Sequence, residues 1–82
     1  MIAVPSKRRD TVVYELYNKG KKVYIGITND PERRRQEHKQ DKEFDTMKIV
    51  TGKRTEESAR KEEQRRIEMY EKKTGHKPKY NK

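Results

Sequence analysis

Tyr14 and Tyr24 stand ten residues apart, and the run Arg33-Arg34-Arg35 follows them, with His38 four positions beyond Arg34. These are proton carriers and phosphate binders. A free phenol, with a pKa of about 10, is a poor base at neutral pH. Nearby positive charge is needed before it can work as one. A guanidinium offers a planar fork that takes phosphate oxygens two at a time and stabilises the extra charge of a pentacovalent transition state. Arg33 and Arg35 point about 100° to either side of Arg34 on a helix, whereas His38 shares its face. His38 could pass a proton to a leaving oxygen or contact phosphate; a solvated helix residue is its plainer reading. Paired tyrosines are also ordinary half-buried strand residues, and any single arginine in such a run can serve general electrostatic attraction.

A carboxylate adds a further clue. Ala59, Ile67 and Tyr70 recur at helical spacing and mark the buried face of a late helix. At about 100° per residue Glu63 falls in the middle of that stripe, while Glu62 points off it. A carboxylate on a core-facing stripe is costly unless it is paired or holds a cation. Pairing with an arginine such as Arg34, or a solvated end of the stripe, would also satisfy it, and Glu62 is the fallback ligand.

Short elements must position these groups. Residues 11–17 and 22–27 are β-branched and aromatic, and the Asn18-Lys19-Gly20-Lys21 turn between them signals a hairpin, with Gly20 supplying positive φ. Tyr14 and Tyr24 would then lie on adjacent antiparallel strands and could emerge on one face, subject to a register that the turn decides. Asp30-Pro31-Glu32 starts a helix that fades near Asp41 or Lys42 and has no apolar stripe. Residues 47–51 suit a third strand ended by Gly52, and Thr55 caps a second helix that runs to about Lys73 and stops at Gly75. Gly26 reads either as a strand-ending glycine or as a place where backbone or substrate approaches closely. The expected fold is α+β: a small three-stranded antiparallel sheet, the N-terminal hairpin plus one strand, flanked by helices.

Composition narrows the partners. A net charge of +9 on 82 residues attracts polyanions, and nucleic acid is the natural one because phosphate neutralisation releases counterions. No segment pairs a basic face with a broad apolar stripe, and none is long enough to span a bilayer or serve as a signal peptide. The absence of cysteine removes disulfides and thiolate metal sites, which agrees with an expected cytoplasmic setting, in a nucleoid or a phage host. With 45% charged and 27% hydrophobic residues, a basic disordered chain is the bland alternative. The patterned apolar blocks argue against it.

The order of Val12-Val13-Tyr14, Tyr24-Ile25-Gly26, a helical arginine, a late glutamate and a terminal Tyr80-Asn81 resembles the GIY-YIG endonuclease family over residues 12–81. The second motif matches intact. The first carries Val12 where the family has glycine. The resemblance implies a phosphodiester hydrolase acting on DNA with one Mg²⁺ or Mn²⁺ ion. It implies that one tyrosine hydroxyl helps deprotonate the attacking water, with Tyr14 the expected proton acceptor and Tyr24 its orienting partner. It further implies Arg34 as the phosphate clamp, Glu63 as the metal ligand and Asn81 as support; helix spacing adds His38 as an auxiliary catalytic group, and the close-approach reading adds Gly26 as site support. Residues 1–10 read as an irregular basic arm and residues 11–82 as the single nuclease-like domain. A homodimer or an additional DNA-binding domain could supply target specificity. The rival reading is a non-catalytic nucleic-acid-binding module that keeps the fold.

Overall fold

The computed structural model describes residues 8–81; residues 1–7 of the expected basic arm lie outside them. The β-branched and aromatic runs form β1 (Val12–Asn18) and β2 (Lys21–Thr28). They are joined by a two-residue turn in which both Lys19 (φ 52°) and Gly20 (φ 80°) are left-handed. Positive φ at both positions matches the twist of the flanking strands, and the strain at Lys19 is the cost of closing the hairpin this tightly. Asp45 Oδ2 accepts the Lys19 backbone N–H at 2.9 Å and braces the turn.

The remaining elements are α1 (Pro31–Lys39), β3 (Thr46–Ile49) and α2 (Glu56–Thr74). Strand order is β2-β1-β3, with both pairings antiparallel. The expected three-stranded antiparallel sheet of an α+β fold is what forms. β3 starts and ends earlier than residues 47–51. Val50 still donates its N–H to Val13 O, but the next partner of β1 is a side chain, Thr51 Oγ1, which accepts the Val13 N–H at 3.0 Å. The ladder therefore ends when a hydroxyl replaces a carbonyl.

Pleating sends alternate residues of β1 to opposite faces. One face carries Val13, which packs with Ile25 and with Ala59 of α2, Ile67 lying against them. The other carries Tyr14 and Leu16, which pack with Val23 and are bordered by Tyr24, Phe44, Met47 and Tyr80. α2 begins as expected, with Thr55 Oγ1 accepting the Ser58 N–H, and ends at Gly75 with φ 86°. α1 stops at Lys39, before Asp41 and Lys42. Its least exposed positions are Pro31, Arg34 and His38, spaced three and four apart, so a polar stripe does the docking that an apolar one usually does. Beyond α2 the chain returns along the outer edge of β2. Tyr80 N–H donates to Val23 O, and Asn81 bonds both the N–H and the C=O of Ile25. That edge is thereby closed.

Candidate active site

In the β1–β2 register Tyr14 faces Gly26 and Leu16 faces Tyr24. A two-residue offset keeps the tyrosines on one face, diagonal to each other, with ring centroids 6.0 Å apart. Gly26 is not a strand-ending glycine, because β2 continues to Thr28. What comes close to it are the two tyrosines: a Cβ at Gly26 would stand 2.6 Å from both Tyr14 Oη and Tyr24 Cε2. The missing side chain makes room for the phenol.

α1 completes the group from above. His38 is buried, 3% exposed, with its ring centroid 5.6 Å from Tyr14 and 4.9 Å from Tyr24. The solvated reading of His38 is overturned. Its Nε2 lies 2.5 Å from Tyr14 Oη, and Arg34 Nε donates to the same oxygen at 3.4 Å. A guanidinium can only donate, so Oη accepts from Arg34 and gives its own hydrogen to His38. The imidazole then accepts at Nε2 and carries its proton at Nδ1.

The electrostatics agree with that assignment. Burial pushes the Tyr14 phenol well above its ordinary value, against the opposing pull of Arg34. Burial first, then the cations Lys42 and Arg34, push His38 down to about 4. Tyr14 is therefore a neutral phenol and His38 a neutral imidazole at pH 7. Arg34 is held more firmly protonated than usual, chiefly through its bond to Tyr14. Its Nη1 pairs with Glu37 at 3.1 Å on the exposed side of the helix.

Glu63 stands on α2, the helix that covers the Val13 face, and among the described residues it has no hydrogen bond or ion pair. It is half-buried, and burial raises its pKa with only Arg60 opposing. The alternative reading, a pairing of Glu63 with Arg34, does not form: Arg34 pairs with Glu37 instead. Glu62, expected to point away, has a side chain 11% exposed and is held by Arg65 and Arg66. Asn81 is anchored to Ile25 rather than frayed. The fold thus brings Tyr14, Tyr24, Arg34, His38 and Gly26 into one group, with which Glu63 makes no hydrogen bond or ion pair.

Lys42 was not among the expected site residues. Its Nζ sits 5.0 Å from the Tyr24 ring centroid and 5.8 Å from that of Tyr80, and its side chain is 15% exposed. It follows Arg34 and His38 at intervals of four, a helical spacing that marks one face even though α1 has ended by then. Its amide still bonds His38 O at 2.8 Å, which keeps it in line. That spacing was the available signal.

A donor set of one half-buried, unpaired carboxylate suits a hydrated hard cation, which takes its other oxygens from water and substrate phosphate. Among the described residues no three His, Cys, Asp or Glu side chains gather into a fuller cage. No helix among them is long and apolar enough to cross a membrane. A family model described as the GIY-YIG catalytic domain matches residues 11–81. No curated protein and no solved structure matches the chain.

Proposed function

This chain belongs to the GIY-YIG catalytic-domain family, and on that premise we propose that it is a divalent-metal-dependent endonuclease that hydrolyses DNA phosphodiester bonds. The observation that carries the reading is the sharing of Tyr14 Oη between His38 Nε2 and Arg34 Nε. A phenol raised this far cannot lose its proton to solvent at pH 7. It can relay one. As water attacks phosphorus, its proton passes to Tyr14 Oη while the Tyr14 hydrogen passes to His38 Nε2, so no free phenolate forms.

Arg34 controls access to this relay. Its bond to Tyr14 is the longer of the two, and its pair with Glu37 is exposed and cheap to break. An arriving phosphate draws the guanidinium to itself, and the vacated acceptor position on Oη receives the attacking water. The phosphate also offsets the two cations that depress His38, which strengthens the base when substrate is present. Tyr24, half-exposed beside His38, orients water and phosphate. The new P–O bond forms, the bond to the leaving oxygen breaks, and that oxygen takes a proton from solvent. Glu63 would hold the metal ion. When bound, such an ion would supply polarisation of the phosphoryl group and stabilisation of the leaving oxygen.

A second reading, a binding module without catalysis, draws on Val12. The substitution is well accommodated, since Val12 is 7% exposed and pairs with Thr28 in the sheet. Supercoiled plasmid incubated with the protein, with and without Mg²⁺ or Mn²⁺, decides between the two. Nicking that requires metal and disappears in Arg34→Ala and Glu63→Ala supports the nuclease. Salt-sensitive binding without cleavage in any divalent metal selects the binding module.

A further inference from the structure

A second hollow lies between the hairpin turn and the C-terminal half of α2. It has a volume of about 530 Å³ and is lined by Tyr17, Lys22, Arg65, Arg66, Tyr70 and Lys73 among others. That size is in the range of small-ligand sites, roughly 300–1,000 Å³. Tyr17 lies two positions from Glu15 on the sheet face that α2 covers, opposite Tyr14. The hollow is therefore separate from the Tyr14–His38 group. No carboxylate lines it.

The acids that organise it sit behind the wall. Glu15 is 2% exposed. Its Oε2 holds Lys22 Nζ at 3.1 Å and Arg66 Nη1 at 3.2 Å, and its Oε1 accepts from Tyr17 at 2.7 Å. Glu62 takes Arg66 Nε at 2.9 Å. Arg66 is thus clamped along two edges, and among the described residues its Nη2 has no acceptor. A guanidinium fixed in this way loses little conformational freedom when it meets an anion. Lys73 adds a cation with no ion pair among the described residues. The tyrosine rings give the hollow an aromatic character that a phosphate alone does not use.

We propose that this hollow binds an unpaired nucleotide of single-stranded DNA, its base against the Tyr17 and Tyr70 rings and its phosphate on Arg66 and Lys73. Base faces are hidden by stacking in a duplex, so only an unpaired strand can use the rings. Lying across the sheet from the Tyr14 group, the hollow takes a part of the substrate other than the scissile phosphate. It therefore favours substrates with an overhang or branch. That consequence rests on the nuclease reading. The binding does not.

The test uses fluorescence anisotropy in EDTA, so that cleavage plays no part. The probes are a labelled oligo-thymidine strand of about 12 nucleotides, within the usual site size, and a duplex of equal length. The wild-type protein is expected to bind the strand more tightly than the duplex. Tyr70→Leu and Lys73→Gln should each weaken strand binding roughly ten-fold and leave duplex binding and plasmid nicking unchanged. Tyr70→Phe keeps the ring and should bind as wild type does, since the Tyr70 hydroxyl makes only a 3.5 Å contact with Lys22 O. Arg34→Ala should leave strand binding intact even if the nuclease reading fails. Absence of a single-strand preference in the wild type, or equal losses on strand and duplex, overturns the proposal. If Tyr70→Leu fails to fold, Lys73→Gln with Tyr70→Phe still decides it.

Discussion

Gly26 lies directly across the β1–β2 ladder from Tyr14, and the phenol end of Tyr14 occupies the space where a Gly26 side chain would begin. A Cβ there would stand 2.6 Å from Tyr14 Oη and 2.8 Å from its Cζ. Neither atom can retreat freely, because Tyr14 is wholly buried and its hydroxyl is tied to His38. Gly26→Ala is expected to cost about 1–3 kcal/mol of stability, the usual range for overpacking, measured by urea unfolding. Plasmid nicking should fall at least as sharply, because the displaced hydroxyl leaves His38 Nε2. Unchanged stability would mean that the phenol relaxes more easily than its burial suggests.

In the proposed mechanism Tyr14 and His38 act as one relay, so their losses should not add. Tyr14→Phe and His38→Gln are each expected to slow cleavage by roughly 10²–10⁴, the range for positioned acid–base groups. The double variant should be no slower than the worse single one. Single-turnover nicking rates at saturating protein check this. Fully additive losses would separate the two residues into independent roles.

His38 makes stability depend on pH in a known direction. Its folded pKa is about 4, below an unfolded value of about 6.5. Between those limits the unfolded chain binds the extra proton, so this contribution is intact above about pH 6.5 and is lost as pH falls toward 4. The melting temperature should drop by roughly 5–10 °C between pH 7 and pH 4.5. His38→Gln should flatten that part of the profile in a series of calorimetric scans.

As the proposed metal ligand, Glu63 should set stability against activity. A half-buried carboxylate without a partner destabilises the metal-free protein, so Glu63→Leu should raise stability by roughly 1 kcal/mol. Because burial raises its pKa, its favourable state is the protonated one, and that contribution is lost as pH rises through the folded pKa. The advantage of Glu63→Leu should therefore grow with pH above the ordinary glutamate range. The same variant should lose Mg²⁺-dependent nicking. Thermal melts at several pH values, with parallel nicking assays, read both effects.

Lys42, near the Tyr24 and Tyr80 rings, adds to the burial that depresses His38. Lys42→Gln should raise the His38 pKa, read from the imidazole resonances by NMR titration. It should also slow nicking roughly ten-fold through the lost charge near the phosphate. The other charged and titratable neighbours of His38 stay in place, namely Tyr14, Tyr24, Arg34, Glu37 and Asp41. An unmoved His38 titration would show that Lys42 acts elsewhere.

Local chemistry decided most of what was legible beforehand. Asn18 to Lys21 carry their own turn preference, Thr55 and Gly75 cap α2 through groups within a few residues, and alternation in β1 assigns its faces. Paired tyrosines, a helical arginine and a late glutamate in order were enough to suggest the family, because motif order survives in the chain itself. Wheel geometry put Glu63 on the stripe of Ala59, Ile67 and Tyr70, and the structure leaves it half-buried.

What lies between elements was decided only in three dimensions. His38 looked solvated because α1 has no apolar stripe, yet a stripe of Pro31, Arg34 and His38 meets the sheet and buries it against Tyr14. Glu62 looked like a surface carboxylate; its partners Arg65 and Arg66 stand on α2 itself, but Arg66 also reaches the buried Glu15 of β1, a contact made only across the fold. The sequence alone determined the hairpin, the helix ends and the presence of both tyrosines, since these depend on neighbours along the chain. Tertiary structure decided that Tyr14 is buried, that it gives its hydrogen to His38, and that Gly26 makes room for it. Hydrogen bonds and desolvation depend on which groups meet across space, and no spacing along the chain records that meeting.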